Sequence, residues 1–251
     1  YSRIYADTQN EDKVYVMNQD VAWARATAGG MAEKVYPSLG YEVVGHDQFP
    51  TGFSDFSSAL MKAKAKKAGV IFACFDMPES GVLVNQWKSI RVPGLIAGFI
   101  SPMAGEVAWK TFKGKIGGLM NATFELGNVP AAKYAPSKNF YNKYKKAYGK
   151  GIQSGHGPAP AYESVYILKE AIERAGSLDP DAIVAEVEKT DKQGVMGRIK
   201  FDEGHQVLYG TDAAQTAAGA LFQWTEDGKR KIVYPASLAD GPIVLPPWVK
   251  K

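Results

Sequence analysis

What most constrains this chain is the rhythm of its first half, where short apolar runs alternate with longer stretches of helical spacing. "KVYVMN" (Lys13 to Asn18) reads as a buried strand. "VAWARATAGGMAEKVYPSLG" follows with helical spacing through Trp23, Ala26, Gly30 and Met31. "YEVVGHDQF" is a second strand. "SDFSSALMKAKAKKAG" predicts a helix capped by Ser54 or Asp55, with Phe56, Leu60 and Ala63 as its apolar stripe and Gly69 closing it. "VIFACF" (Val70 to Phe75) is a third strand and "PESGVLVNQWKSI" a third helix. "GLIAGF", the short helix around "GEVAWKTF", and "IGGLMNATF" repeat the unit. Such alternation implies βαβ units, hence an α/β fold with a parallel sheet and helices on both faces.

The character changes after Asn128. "PSKNFYNKYKKAYGK" predicts an amphipathic helix with Phe140, Tyr144 and Tyr148 at spacing four. "APAYESVYILKEAIERAG" predicts another, with Val165, Leu168, Ile172 and Ala175 as its stripe, and "DPDAIVAEVEKT" a third with Asp179 as N-cap and Pro180 at the first helical position. Short strands follow in "GRIKFDEGHQV" and "GALFQWTEDGKRKIVYP", with "EDGK" (Glu226 to Lys229) as a hairpin turn. "GPIVLPPWVK" is a proline-rich tail. The expected organisation is a complete βα lobe over 11–128, the returning portion of an incomplete second lobe over 129–235 and a tail over 236–251 that crosses back to the other lobe.

Several function classes lose support. A formal charge of +4 over 251 residues, with lysines and acids interleaved along most of the chain, gives no basic face for nucleic acid. The single cysteine, Cys74, permits no intrachain disulfide and packs as a small hydrophobe, and three scattered histidines give no zinc spacing. No run reaches the length of a membrane span. No GxGxxG, P-loop, GxSxG or HExxH pattern occurs, so nothing asks for an enzyme or a cofactor. Asp202 and Glu203 fit turn chemistry, and the glycines of "ATAGGM" fit close helix packing better than phosphate binding.

"KVYVMNQDVAWARA", the run from "YEVVGHDQF" through "VLVNQWKS", "AYESVYILKEAIERAGS", "GRIKFDEGHQ" and "FQWTEDGKRKIVYP" together resemble the type I periplasmic solute-binding proteins of the branched-chain amino acid transporter class. The resemblance implies the type I periplasmic-binding-protein (Venus flytrap) fold and closure of two lobes on a small solute, amino acid or carboxylate-like, aromatic ones included. It further implies no cofactor, a periplasmic or extracellular setting and delivery to the membrane permease of an ABC importer; a ligand-sensing module of the same fold is the alternative. Family members carry a further set of first-lobe βα units ahead of the strand matched by "KVYVMN". The chain opens at Tyr1 without a leader and reads as a processed or truncated product whose other lobe is incomplete. An incomplete lobe exposes sheet edges, which invites dimerisation or strand exchange.

The same resemblance places the ligand-binding candidates. Trp23 follows the first strand, where the family often lines the site with an aromatic; its helical spacing equally suits core packing. Asp76 follows "VIFACF", with Phe75 and Met77 beside it as wall residues. "DMPE" also reads as a capping box with Asp76 as N-cap, a role that suffices by itself. Ile100 stands where amino-acid-binding members hold the ligand ammonium with a carboxylate, and Ser101 offers a hydroxyl beside it. Either the solute lacks an amine, or Asp76 takes it. His156, in "SGHGPAPAY", could reach a ligand or belong to a flexible linker.

Overall fold

The apolar strands of the first half pair as a four-stranded parallel sheet. In this computed structural model, which describes residues 12–245, 247 and 248, its order is β2-β1-β3-β4. The strands are β1 (Lys13–Gln19), β2 (Glu42–Phe49), β3 (Val70–Phe75) and β4 (Leu95–Ile100). β3 has the bounds of the "VIFACF" run and is buried along nearly all its length, as a strand covered on both faces should be. The register sets Gln19 beside Phe49 and Phe75 beside Ile100, so the four strands end along one edge. Cys74 is fully buried in β3, and burial pushes its thiol up to about 12, which keeps it protonated.

The helices between the strands form close to where spacing predicts, with instructive differences. α1 (Ala22–Gly30) continues through a π-helical turn, Met31–Val35, into a last turn at Tyr36–Ser38. It buries Ala24 and Ala28, so the stripe through Trp23 and Ala26 is not its core face. A side chain at Gly29 or Gly30 would meet nothing within 4 Å, so these glycines do not serve close packing. α2 (Ser57–Ala65) buries Leu60 and Ala63 as expected, with Phe56 just ahead of it also buried. Asp55 accepts from the Ser57 backbone N–H in the turn before the helix, while Gln86 accepts from the Phe56 N–H. Gly69 does not close this helix. Lys67 takes the left-handed conformation, and the Gly69 N–H already donates to Lys13 of β1.

α3 (Ser80–Ile90) starts late, and this overturns the capping box. Met77, Pro78 and Glu79 form a turn whose carbonyls accept from Ser80, Gly81 and Val82, and no side chain caps the helix. α3 buries Leu83, Val84 and Trp87, and the Trp87 indole donates to the Gly94 carbonyl at 2.7 Å. α4 (Ala108–Thr111) is short.

The chain divides into two units. The first holds the described residues up to Ala122, Gln223–Arg230 and those from Ile243 onward; the second holds Thr123–Phe222 and Lys231–Pro242. The break falls at 122/123 rather than near Asn128, and the "EDGK" turn returns to the first unit. β5 (Met120–Thr123), β10 (Ala220–Trp224) and β11 (Arg230–Tyr234), in the sheet order β11-β10-β5, each carry the chain across that boundary. Of the tail, Trp248 lies in the first unit, where its indole donates to Val92 and its ring meets Trp87 edge-on at 5.1 Å; Pro246 and residues 249–251 fall outside the described residues.

The second unit contains α5 (Ala135–Tyr148), α6 (Pro158–Ala175) and α7 (Pro180–Glu188), the last capped by Asp179 accepting from Ala182 at 3.0 Å. Its sheet runs β6 (Asp191–Gly194), β7 (Gly197–Lys200), β9 (Ala217–Ala218), β8 (Tyr209–Gly210). α6 corrects the expected stripe. It buries Ala159, Glu163, Ile167 and Ala171, whereas Val165 and Leu168 face solvent. Glu163 enters the interior because its carboxylate accepts the Val195 N–H, a pairing that periodicity of apolar residues cannot register.

Candidate functional site

A parallel sheet leaves its functional edge at the carboxyl ends of its strands, where loops lead into helices. In the first unit that edge carries Gln19, Phe49, Phe75 and Ile100 as the last strand residues. Asp20, Asp76 and Ser101 follow β1, β3 and β4 directly. Of the predicted residues, two share a side-chain hydrogen bond: the Trp23 indole Nε1 donates to Asp76 Oδ2 at 3.0 Å, although 53 positions separate them. The Trp23 ring also meets Phe99 of β4 edge-on at 5.8 Å. Asp76 is exposed and Trp23 half-buried, so the pair lies at the surface of the edge rather than in the core.

Gln19, which sequence reading missed, holds this pair in place. Its side chain is buried; Oε1 accepts from the Asp76 backbone N–H at 3.0 Å and Nε2 donates to Thr51 Oγ1 at 2.9 Å. One carboxamide therefore ties the ends of β1, β2 and β3 together. The available signal was a polar pair, Asn18–Gln19, closing an apolar strand: buried amides need partners, and here the partners are the loop ends. Arg25, also missed, pairs with Asp20 at 2.5 Å on the same edge, both exposed.

Phe75 and Ile100 do not present their side chains. Phe75 is fully buried, packed at 6.1 Å from Phe49 and 5.7 Å from Phe56, so it is part of the floor beneath the edge rather than a wall. Met77 is buried too. Ile100 is fully buried, and the buried Asn121 side chain fixes it by accepting from its N–H at 2.8 Å and donating to its carbonyl at 2.9 Å. Ser101 is half-buried at the start of a 3-10 turn, Ser101–Met103.

His156 belongs to the second unit. Its Nδ1 lies 2.6 Å from Oε1 of the buried Glu125, whose Oε2 accepts from Asn128 at 2.8 Å, and its ring meets Phe124 edge-on. The loop is not a slack linker. Ser154 Oγ accepts from the His156 N–H and donates to the His156 carbonyl, and the Gly155 carbonyl accepts from Phe124 N–H and Thr123 Oγ1.

Burial pushes the Glu125 carboxyl above its ordinary value, partly offset by the hydrogen bond and charge of His156. A carboxyl with a raised folded-state pKa contributes stability below its ordinary pKa and loses it as pH rises through the raised one. The urea midpoint of the protein is therefore expected to slope downward with pH just above the ordinary carboxylate range, and Glu125→Gln to flatten that slope. Parallel slopes for the two proteins would refute this assignment.

Among the described residues no His, Cys, Asp and Glu cluster could hold a metal ion, and no helix is long and apolar enough to cross a membrane.

Comparison with known proteins gives a consistent likeness. The profile of the periplasmic binding protein family matches residues 3–229. The Leu/Ile/Val-binding protein homolog 3 of Brucella melitensis is 26% identical over 222 residues, covering 87% of this chain and 55% of the relative. The leucine-, isoleucine-, valine-, threonine- and alanine-binding protein of Pseudomonas aeruginosa is 29% identical over 203 residues, 79% of this chain and 49% of that protein. The chain thus spans about half the length of the curated relatives it matches. Among solved structures, one from Silicibacter pomeroyi aligns with a TM-score of 0.82 at 18% identity, covering 98% of this chain and 65% of the other. The substrate-binding protein LivJ of Streptococcus pneumoniae, solved with isoleucine, aligns with a TM-score of 0.68 at 24% identity over 93% of this chain and 63% of its own.

Proposed function

The chain belongs to the type I periplasmic binding proteins, in the branched-chain amino acid family, and from that premise we propose that it is the binding component of an ABC importer for a small amino acid. On this reading it works on the periplasmic or extracellular side and hands its solute to a membrane permease. The edge of β1 and β3 takes the amine of the solute at Asp76, and Trp23 covers its aliphatic part.

The observation that carries this reading is the indole–carboxylate pair. A carboxylate committed to capping α3 would have no call on a ligand, but Asp76 caps nothing. One of its oxygens accepts from Trp23, and Oδ1 has no hydrogen bond among the described residues. A primary ammonium brings donors and positive charge to such an acceptor, a charge-assisted pairing stronger than a neutral one. The Trp23 face supplies apolar area for an alkyl or ring side chain next to it. Ile100, with no charge and no exposed surface, cannot neutralise an amine, so that task falls to Asp76. The names of the curated relatives, a Leu/Ile/Val-binding protein homolog and a leucine-, isoleucine-, valine-, threonine- and alanine-binding protein, support a small amino acid as the solute class.

The test is a thermal-shift screen against amino acids, their deaminated carboxylates and short amides. A cognate solute at about 1,000 times its Kd stabilises by about 4 kcal/mol, a shift of roughly 8–16 °C in a protein of this size. Shifts are expected with amine-bearing solutes. No shift in any class, or equal shifts with deaminated analogues, would defeat the reading.

A further inference from the structure

Between Glu125 and Glu163 the interleaving of lysines and acids stops. Residues 126–162 hold six lysines and no acid, more positive charge than the net +4 of the whole chain. Both flanking acids are engaged in the interior: Glu125 with His156 and Asn128, Glu163 with the Val195 N–H. Much of this stretch is α5, which turns Ser137 and Tyr141 inward. Phe140, Tyr144 and Tyr148, four residues apart, form a row along the helix. The row continues onto α6. Ring centres lie 4.6 Å apart for Tyr148 and Tyr144, 6.4 Å for Tyr144 and Phe140, and 4.9 Å for Phe140 and Tyr162. Phe140 packs against the buried cluster around Ala159 and Val195, whereas Tyr162 is 41% exposed and Tyr148 66%. These rings line a groove of about 650 Å³ that lies wholly in the second unit. That volume is in the range of small-molecule sites, roughly 300–1,000 Å³. Lys143 and Asn139 also line it, both exposed and neither with a side-chain hydrogen bond or ion pair among the described residues.

We propose that this groove between α5 and α6 is a binding site for a planar aromatic carboxylate, built from residues other than those of the Asp76 edge. A row of rings turned to water, rather than packed into a core, offers faces for offset stacking by a flat ligand. The Lys143 ammonium and the Asn139 carboxamide place donors beside those faces, and a charge-assisted bond to a carboxylate is stronger than a neutral one. The acid-free stretch around them sets a positive field that favours an anion over an amine. An aliphatic acid would meet the charge without the stacking, and a neutral arene the stacking without the charge. The two features together select the class. The inference does not depend on the solute assigned to Asp76, whose carboxylate asks for the opposite charge.

Calorimetric titration of the 251-residue chain with 2-naphthoate tests it. Binding is expected with a Kd near or below about 1 mM, the affinity that a ligand of this size reaches at ordinary efficiency. Cyclohexanecarboxylate, which keeps the charge, and 2-naphthalenemethanol, which keeps the rings, should each bind about fivefold more weakly or worse. Tyr148→Ala is expected to weaken 2-naphthoate by about fivefold or more and Lys143→Glu by about tenfold, while Lys143→Arg keeps most of the affinity. The substituted side chains are exposed, so melting temperatures should stay within about 2 °C. Binding of an amine-bearing solute should be the same in these variants as in the parent. No heat with 2-naphthoate, or binding indifferent to both Tyr148→Ala and Lys143→Glu, overturns the proposal. So does binding that is lost in Asp76→Ala and kept in both groove variants, which would place the acid at the edge of the first unit. Attachment to phosphatidylglycerol vesicles that Lys143→Glu abolishes, with no uptake of 2-naphthoate, would assign the face to an anionic lipid surface instead.

Discussion

On the proposed function, replacing Asp76 by alanine is expected to weaken binding of the amine-bearing solute by about 30-fold or more while leaving the melting temperature within about 2 °C. Truncating one partner of a charge pair at a binding site costs of order 2–5 kcal/mol, and each 1.4 kcal/mol is a factor of ten in affinity. The fold is indifferent because Asp76 is exposed and supports no helix terminus; its side-chain partner is Trp23. A residue acting as an N-cap would behave in the opposite way, with about 1 kcal/mol of stability lost. Calorimetric titration and thermal melting of the same samples separate the two. Asp76→Asn refines the result: it keeps an acceptor for the indole but removes the charge, so it should lose most of the affinity as well. The deaminated analogue of the same solute supplies the control, since the difference between the two should largely vanish in Asp76→Ala. Solute binding unchanged by the substitution, or a melting temperature that falls as for a lost cap, would sink the assignment.

That prediction depends on a contact that local sequence cannot display. The strands of the first unit were legible because alternation of apolar runs and helical spacing is a property of neighbouring residues; Val70–Phe75 has the bounds of the run that announced it. The Asp76 environment was not, because both of its partners are remote: Trp23 lies 53 positions away and Gln19 lies 57 away. The D-x-x-E spacing matches a capping box only if the helix starts at Met77, and the turn through Pro78 delays it to Ser80. α6 shows a different limit. Periodicity finds its Val165–Ala175 stripe but cannot tell which of two stripes the chain covers, and the buried stripe was hidden by Glu163 and two alanines. Phe75 and Ile100 end β3 and β4 at the carboxyl edge, yet a strand's last residue points to one face of the sheet, and for both the side chain is buried.

Phe56→Ala is expected to destabilise the protein by about 3–5 kcal/mol, a fall of roughly 6–20 °C in melting temperature. Phe56 is fully buried where α2 begins, with ring centres 5.0 Å from Phe49, 5.5 Å from Phe53 and 5.7 Å from Phe75. Its removal empties the middle of a cluster whose aromatic pairs each add about 0.5–1.5 kcal/mol beyond the area they bury. Phe53→Ala, at a half-buried ring, should cost distinctly less. The cluster also underlies the candidate binding edge, because Phe49 and Phe75 are the last residues of β2 and β3 and Asp76 follows Phe75 directly. Phe56→Ala should therefore weaken solute binding as well, even well below its melting temperature, by loosening the strand end that presents the carboxylate. The two substitutions then have opposite signatures in urea denaturation and calorimetry. Asp76→Ala removes affinity and spares stability, whereas Phe56→Ala removes stability first and affinity as its consequence. A loss below about 1 kcal/mol in Phe56→Ala would mean that the edge is held by the Gln19 hydrogen bonds and not by the rings beneath it.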